Sequence, residues 1–346
     1  MSMLRAAPAR VSLALLAITI FGCGGEKTDF SLPPKSYTLA DLTPNAVGDA
    51  VLQGVSDDGR VVGTYLKTAG QAMQPFGWTP DGDTADFVLP AQCKQMDGIN
   101  EIGQIACSDQ TVTPAKIYLW QTSSIDELTA PTGSKQFVVG GMSFSAGTAS
   151  TITVGAKTDA YQLKPQENPV AFTTSGAGQL LGCSQDGNLV GVDSGSGHAK
   201  GFAVVDGKKR DIVATGGTDT FTVSVNDTGM VVGYTADTNT NHKAFSWQGG
   251  TFKTLAMTTG ATESIADDVN NEGIVAGKVF VGGLWQACVW FPGKSPMLVK
   301  DMTTVPNGVV LNEAKVVTPL GIVVCLATKK IGGVDHSAVC VLRPNY

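Results

Sequence analysis

Charged side chains are scarce: 24 basic and 30 acidic residues make up 16% of the 346, where about 25% is usual. Aromatic residues supply only 7% and the net charge is −6. With neither a basic stripe nor a row of stacking rings, a nucleic-acid partner is excluded. Long runs of one sign are missing, and histidine occurs three times. Helical spacing of apolar residues is sustained nowhere, so no Gly-rich turn has the following helix that a phosphate loop needs. No Gly-x-Ser-x-Gly element is followed by a suitable His, which removes one common route to a nucleophilic serine. No apolar run approaches the roughly 20 residues that span a bilayer.

What is abundant is glycine, 42 residues, well above the usual share of roughly 7%. Hydrophobic residues at 42% supply a large core or two ordinary ones. Many turns between short strands are the simplest reading of both facts.

At the N-terminus, Arg5 and Arg10 precede an apolar run, VSLALLAITIF over 11–21, and then Gly22-Cys23. This is the order of a secretion signal, with a positive region, an apolar region and a small residue before the cleavage point. Ile20-Phe21-Gly22-Cys23 resembles the lipobox of bacterial lipoproteins, which implies cleavage after residue 22 and a lipid-modified Cys23 as membrane anchor. An ordinary secretory signal is the alternative. In a Gram-negative host, Gly24 after the cysteine implies retention in the outer membrane. The stretch 23–35 is polar and ends on a Pro-Pro pair, which reads as an extended tether, and the domain is placed at 36–346.

One turn pattern recurs through the rest of the chain. An apolar residue, a polar three-residue stretch, Gly, and an apolar pair ending on a small residue appear as VSDDGRVVG from Val55 and INEIGQIAC from Ile99. Further copies are CSQDGNLVG from Cys183, VNDTGMVVG from Val225, VNNEGIVAG from Val269 and a weaker TPLGIVVC from Thr318. The turn glycines 59, 103, 187, 229, 273 and 321 follow a period of roughly 43 residues, with one double interval where Gly147 or Gly155 marks a degenerate copy. Each unit continues into a short third strand, such as Phe76-Gly77-Trp78 or Ala244-Phe245-Ser246-Trp247, with Ala171-Phe172 filling that place in the degenerate unit. A fourth strand follows, as in Ala85 to Leu89. Seven units of four short strands predict an all-β, seven-bladed β-propeller. The last unit lacks a fourth strand, and 36–42 is a fourth strand without a blade, so the N-terminal strand is expected to close the last blade and remove two open edges.

The pattern Val/Ile-Asn-Asp/Asn-x-Gly-x-Val-Val-Gly followed by His-x-Ala-Phe-x-Trp resembles the bacterial extracellular repeat family named HAF for its His-Ala-Phe segment. His242-Lys243-Ala244-Phe245-Ser246-Trp247 is the fullest copy, with His336-Ser337-Ala338 and His198-Ala199-Lys200-Gly201-Phe202 looser. The resemblance implies a secreted repeat protein of propeller type and transfers no catalytic residue.

Candidate sites follow from the repeat. His198, His242 and His336 each precede the third strand of a different unit. Equivalent placement predicts a repeated structural role, each capping a loop, and a shared ligand site arises only if the three loops lean over one mouth of the ring. The Asp/Asn-rich turns have the residues of tight hairpins and lack the ligand spacing of a calcium loop, so no metal or cofactor is expected. Six cysteines follow Cys23 and allow 15 pairings. Cys93 with Cys107, flanking one hairpin, and Cys325 with Cys340, on successive strands, are the pairs within reach. Trp78, Trp120, Trp247 and Trp290 recur in third strands as packing, whereas Trp285 falls in the preceding loop as an exposed contact residue. Variable loops at 67–74, 158–168, 237–242 and 329–336 are expected on one rim, with Asp237 among the binding candidates. The composite expectation is a lipid-anchored, monomeric binding or scaffolding module of the cell envelope, partnered by the membrane and by an extracellular protein or glycan. The alternative is a propeller lyase or hydrolase acting on a carbohydrate or antibiotic in the central channel.

Overall fold

The computed structural model describes residues 31–346 except 122–123, 144, 146, 215–217 and 238–240; the signal segment, Cys23 and most of the tether lie outside the described residues. The chain forms seven four-stranded antiparallel sheets, a seven-bladed β-propeller. The inner strands of blades 1 to 7 are Ala50–Val55, Gln95–Ile99, Ser134–Met142, Gly178–Cys183, Asp219–Val225, Ala261–Val269 and Val309–Val317. In six blades the strands are consecutive from inside to outside. In blade 7 the outer place is taken by Ser36–Asp41, which pairs with Val334–Asn345 from Ser36↔Asn345 to Asp41↔Cys340. The N-terminal strand closes the ring, as the sequence predicts. Among the described residues the one helical element is a short 3-10 turn, Val299–Asp301, and no helix is long and apolar enough to cross a membrane.

The recurrent turn is the hairpin joining inner and second strands. Its first polar residue (Ser56, Asn100, Ser143, Ser184, Asn226, Asn270 and Thr318 around the ring) accepts on its side chain a hydrogen bond from the backbone N–H four residues on, at 2.9 Å where it is Asn. The turn glycine then needs the left-handed backbone, with φ of +75° at Gly229 and +78° at Gly273, which side chains with a Cβ resist. In the blade 3 copy the glycine, Gly147, comes four residues after Ser143 rather than three after the first polar residue as in the other copies, which is why that copy reads as degenerate.

Asparagine has a second use here. Asn226 Nδ2 donates to Asn270 O at 2.8 Å and Asn270 Nδ2 donates to Thr318 O at 2.9 Å, so one buried side chain closes its own hairpin and staples it to the next blade. The core lies between blades. Seven clusters of buried apolar residues each straddle one interface; that of blades 4 and 5 joins Val190, Ala203 and Ile212 to Val225, Val231, Phe245 and Trp247. A single blade could bury neither of its faces, so the ring is the cooperative unit.

Several local expectations are corrected. In blade 3 the third strand is Lys157–Leu163, and Val170–Ala171 is the fourth. Hence 158–168 is largely strand, entered through a tight turn at Gly155. In blade 7, 329–336 is also strand around a two-glycine turn, with Lys329 opposite His336. Trp285 lies within the strand Leu284–Trp290 opposite Phe280 and is half-buried. The three differences share a cause: short turns there let strands extend into segments whose composition suggests loop.

Candidate binding site: the central channel and its mouth

All seven inner strands carry a β-bulge, each at the third residue before the hairpin: Gln53, Asp97, Gly140, Leu181, Val223, Asp267 and Lys315. A bulge leaves one residue unpaired and re-aims it. These seven form a ring around a central cavity of about 270 Å³ lined by every inner strand. The next residue packs sideways on the neighbouring blade and is Gly in blades 1 to 4. A Cβ on Gly54 would stand 2.9 Å from Gly98 Cα, and one on Gly141 2.9 Å from Cys183 N. The glycines let inner strands close up, and the bulge turns its residue to the axis.

The ring is divided. Blades 6, 7, 1 and 2 contribute Asp267, Lys315, Gln53 and Asp97, and blades 3 to 5 contribute Gly140, Leu181 and Val223. Asp97 is 7% exposed and Asp267 9%. Gln95 Nε2 donates to Asp97 Oδ1 at 2.8 Å and Lys315 Nζ to Asp267 Oδ1 at 3.0 Å, while the Oδ2 of each is buried without a protein donor. Burial pushes the Asp97 carboxyl up to about 6, against the lowering hydrogen bonds of Ser108 and Gln95. Burial likewise raises Asp267, with Lys315 opposing. Below the bulges, Asp268 is raised by burial although Ser224 and the Val317 N–H bind it at 2.7 and 2.9 Å. At the hairpin mouth, burial and then the charges of Asp268, Glu101 and Asp227 push Asp57 up to about 7. Burial would lower Lys315, but Asp267 and Glu313 hold its ammonium above the usual range. Among the described residues no three His, Cys, Asp or Glu side chains are grouped to hold a metal ion.

On the opposite face of the ring the histidines serve as clasps between blades. His198 Nδ1 is 3.1 Å from Asp219 Oδ1, His242 Nδ1 is 2.6 Å from Glu263 Oε2 and His336 Nδ1 is 3.3 Å from Asp49 Oδ1. Each carboxylate belongs to the next blade and stands equally far ahead of its hairpin. Asp219 and Asp49 also accept a backbone N–H beside the histidine at 2.9 Å. The last clasp spans the closing seam. The three histidines are therefore kept apart around the ring, and their repeated position expresses inter-blade packing.

His242 alone has a further setting. Phe221 and Tyr234 stack at 4.8 Å, Tyr234 meets His242 edge-on at 5.4 Å, His242 lies 6.4 Å from Trp285, and Trp285 lies 5.5 Å from Phe280. These rings are half-buried and form one aromatic wall over blades 5 and 6. Lys278 Nζ lies 5.4 Å from the Trp285 ring centre and pairs with Glu313, which pairs with Lys315 at 3.2 Å. A chain of charge thus joins the wall to the bulge ring. The loop carrying Asp237, whose Oδ2 accepts from Asn241 Nδ2 at 2.6 Å, leads directly into His242. The structure gathers His242 and Trp285, brings Asp237 into the adjoining loop, and leaves His198 and His336 on other blades.

Cys93 and Cys107 are joined by a disulfide with Cα atoms 5.4 Å apart. Cys325 and Cys340 are directly opposed in register and are buried free thiols. Cys183, in the channel wall, is pushed up to about 12 by burial first and by Asp227 second, so it is a poor nucleophile. Two larger grooves, of about 490 and 500 Å³, lie on the outside between blades 7 and 1 and between blades 1 and 2. Sequence reasoning missed Asp97, Asp267 and Lys315; the available signal was their common place, three residues before each hairpin.

No family model and no curated protein matches the chain. Solved structures match over most of the chain. The β-propeller domain of the Trilobed protease from Pyrococcus furiosus aligns with a TM-score of 0.57 at 11% identity, covering 84% of this chain and 93% of that one. Virginiamycin B lyase from Staphylococcus aureus aligns at 0.52 and 11%, covering 89% and 98%. An acylaminoacyl peptidase from Pyrococcus horikoshii aligns at 0.56 and 11%, covering 91% of this chain and 53% of that one. At such identities the likeness is one of fold. The Pyrococcus furiosus domain is described as having an open velcro topology, whereas in this chain Ser36–Asp41 fastens the ring.

Proposed function

We propose that the protein is an exported, lipid-anchored binding module of the bacterial cell envelope, presenting a small ligand site at the mouth of the channel over blades 5 and 6. The observation that carries this reading is the joining of His242 and Trp285 in a half-buried aromatic wall linked by Lys278, Glu313 and Lys315 to the channel. A rigid ring with aromatic faces beside ion pairs suits recognition of an amphipathic group, a sugar ring or a peptide side chain. Reaction chemistry has less support: the three histidines face carboxylates of neighbouring blades, and the Cys183 thiol is held protonated by burial.

The export reading rests on Arg5, Arg10, the apolar run 11–21 and Gly22-Cys23, in the order of a secretion signal, with Cys23 as lipid anchor and the outer membrane of a Gram-negative host as the setting. The repeat pattern supports kinship with the HAF repeats, and the partners are the membrane through the anchor and an extracellular protein or glycan. Metabolic labelling with a fatty acid tests the anchor: Cys23→Ser should lose both the label and the membrane fraction, and a labelled, membrane-bound variant contradicts it. Thermal denaturation against glycans, peptides and metabolites tests the module. A ligand at a hundred times its Kd stabilises by about 2.7 kcal/mol, and Trp285→Ala and His242→Ala should abolish the shift; a shift indifferent to both places the site elsewhere.

A further inference from the structure

The groove across the closing seam, about 490 Å³ between blades 7 and 1, holds charges of two kinds: some spent within the protein and some left over. Asp41 accepts from the Thr43 N–H at 2.8 Å and, on its other oxygen, from Lys329 Nζ at 2.9 Å. Asp86 accepts from the Tyr65 hydroxyl at 3.0 Å and, on its other oxygen, from Lys67, which settles both of those charges. Two groups remain. Arg343, on the third strand of blade 7 opposite Thr38, is exposed, and its guanidinium carbon lies 5.0 Å from the Trp78 ring centre. Trp78 is only 4% exposed, so its ring is a fixed platform; stacking on it orders the arginine and leaves the N–H fork free. Asp83, in the segment before the fourth strand of blade 1, is exposed as well. Among the described residues neither Arg343 nor Asp83 has a hydrogen-bond or ion-pair partner, and the two do not pair with each other although both line the groove. A groove of this volume is within the range of small-ligand sites, and it sets one uncommitted cation on the last blade and one uncommitted carboxylate on the first.

We propose that the seam groove binds a small zwitterion of amino-acid or dipeptide size, its carboxylate received by the Arg343 fork and its ammonium by Asp83. This goes beyond the channel reading and does not rest on it. A planar guanidinium matches a carboxylate through two parallel hydrogen bonds, and the Asp83 oxygens accept the N–H groups of an ammonium. A simple anion meets the repulsion of Asp83 and a simple cation that of Arg343, so the groove selects for both charges in one molecule. Since Arg343 comes from blade 7 and Asp83 from blade 1, the ligand bridges the seam that Ser36–Asp41 fastens. The groove is open and its ion pairs are exposed, which sets the affinity at millimolar order.

The test is a ligand-observed NMR titration of the purified full chain at low salt and about pH 6.5, where α-amino and α-carboxyl groups are both charged. L-Alanine and L-alanyl-L-alanine are the probes, with N-acetyl-L-alanine and L-alanine amide as singly charged controls. One zwitterion should bind, each control at least about fivefold more weakly, and Arg343→Gln and Asp83→Asn should each weaken it about fivefold or more, the scale of one exposed ion pair. Both side chains are exposed, and thermal midpoints equal to that of the parent show that the ring is intact in the variants. Bound ligand should also slow hydrogen exchange in Ser36–Asp41. The proposal is overturned if neither zwitterion binds up to roughly 100 mM, if a control binds as well as the zwitterions, or if either variant retains full affinity. Trp285→Ala, at the channel mouth, should leave this binding unchanged. A zwitterion lost with Trp285→Ala yet indifferent to Arg343→Gln belongs to the channel mouth and removes the seam site.

Discussion

Gly233 shows how much one residue of the repeat carries. Its backbone is extended, yet a Cβ there would come within about 2 Å of the Phe221 carbonyl oxygen, and one on Gly277 would meet the Ile265 carbonyl in the same way. On the other side the same position faces the aromatic ring of the third strand, as in Gly63↔Phe76, Gly191↔Phe202 and Gly233↔Phe245. The Gly of Val-Val-Gly and the Phe of the His-Ala-Phe segment are thus two halves of one cross-strand pair, a large ring laid over a missing side chain. Gly233→Ala should destabilise the ring by about 1–3 kcal/mol through overpacking. Gly77→Ala, whose Cβ would find only ordinary contacts of 3.5 Å or more, should stay within about 0.5 kcal/mol. Paired urea denaturation curves check this, and equal losses in the two variants would refute the close-approach account. Such residues were legible because they recur in a fixed pattern. Asp97, Asp267 and Lys315 were not, since the bulge breaks the two-residue alternation that tells inward from outward side chains.

At the level of elements, the sequence reads best where hairpins are marked by Asn and Gly. It reads worst where a strand runs on through polar residues, as in Lys157–Leu163 of blade 3 or Val323–Ile331 and Val334–Asn345 of blade 7. Trp285 was misplaced for the same reason: a two-glycine turn at Gly282-Gly283 starts its strand at Leu284, earlier than the repeat suggests. Blade 2 differs from its neighbours in another way. At the position where Asp49, Asp219 and Glu263 receive a histidine, it carries Cys93, and the link to Cys107 ties inner strand to second strand. Closing a loop of this length stabilises by about 3 kcal/mol in the chain-entropy view. Reduction, or Cys93→Ser with Cys107→Ser, should lower the thermal midpoint by several degrees while leaving the other blades paired; no change on reduction would show that the link carries no stability.

For the molecule as a whole, the seven interfaces and the fastened seam make the channel a fixed cavity lined with carboxylates. Asp57, Asp97 and Asp267 are all raised above their usual range, Asp57 to about 7 and Asp97 to about 6, by burial first. A carboxyl raised on folding favours the folded state fully below its unfolded pKa near 4, and that contribution is lost as pH rises through the folded value. Stability should therefore fall between about pH 5 and pH 8. Asp57→Asn should flatten this slope and raise stability near pH 8 by on the order of 1–2 kcal/mol, less than full linkage because the mouth is open to solvent. Asp227 and Glu313 are held below their usual range, and what they contribute is lost only under more acidic conditions, outside this window. Denaturation midpoints across that range check the sign, and stability rising from pH 5 to pH 8 would contradict the account. Ring closure and blade number were legible because they follow from repeat arithmetic; the field in the channel was not, because it arises from residues of different blades that share no pattern.

The central claim is that ligand is received at the channel and its mouth over blades 5 to 7. Hydrogen exchange of the full chain, with and without the strongest stabiliser found in thermal denaturation, tests it most directly. Protection should appear in Val231–Ala236, His242–Gln248, Leu284–Trp290 and Val309–Val317, the strands that carry Tyr234, His242, Trp285 and Lys315. Protection confined to the outer groove around Tyr65, Trp78 and Arg343 would contradict it.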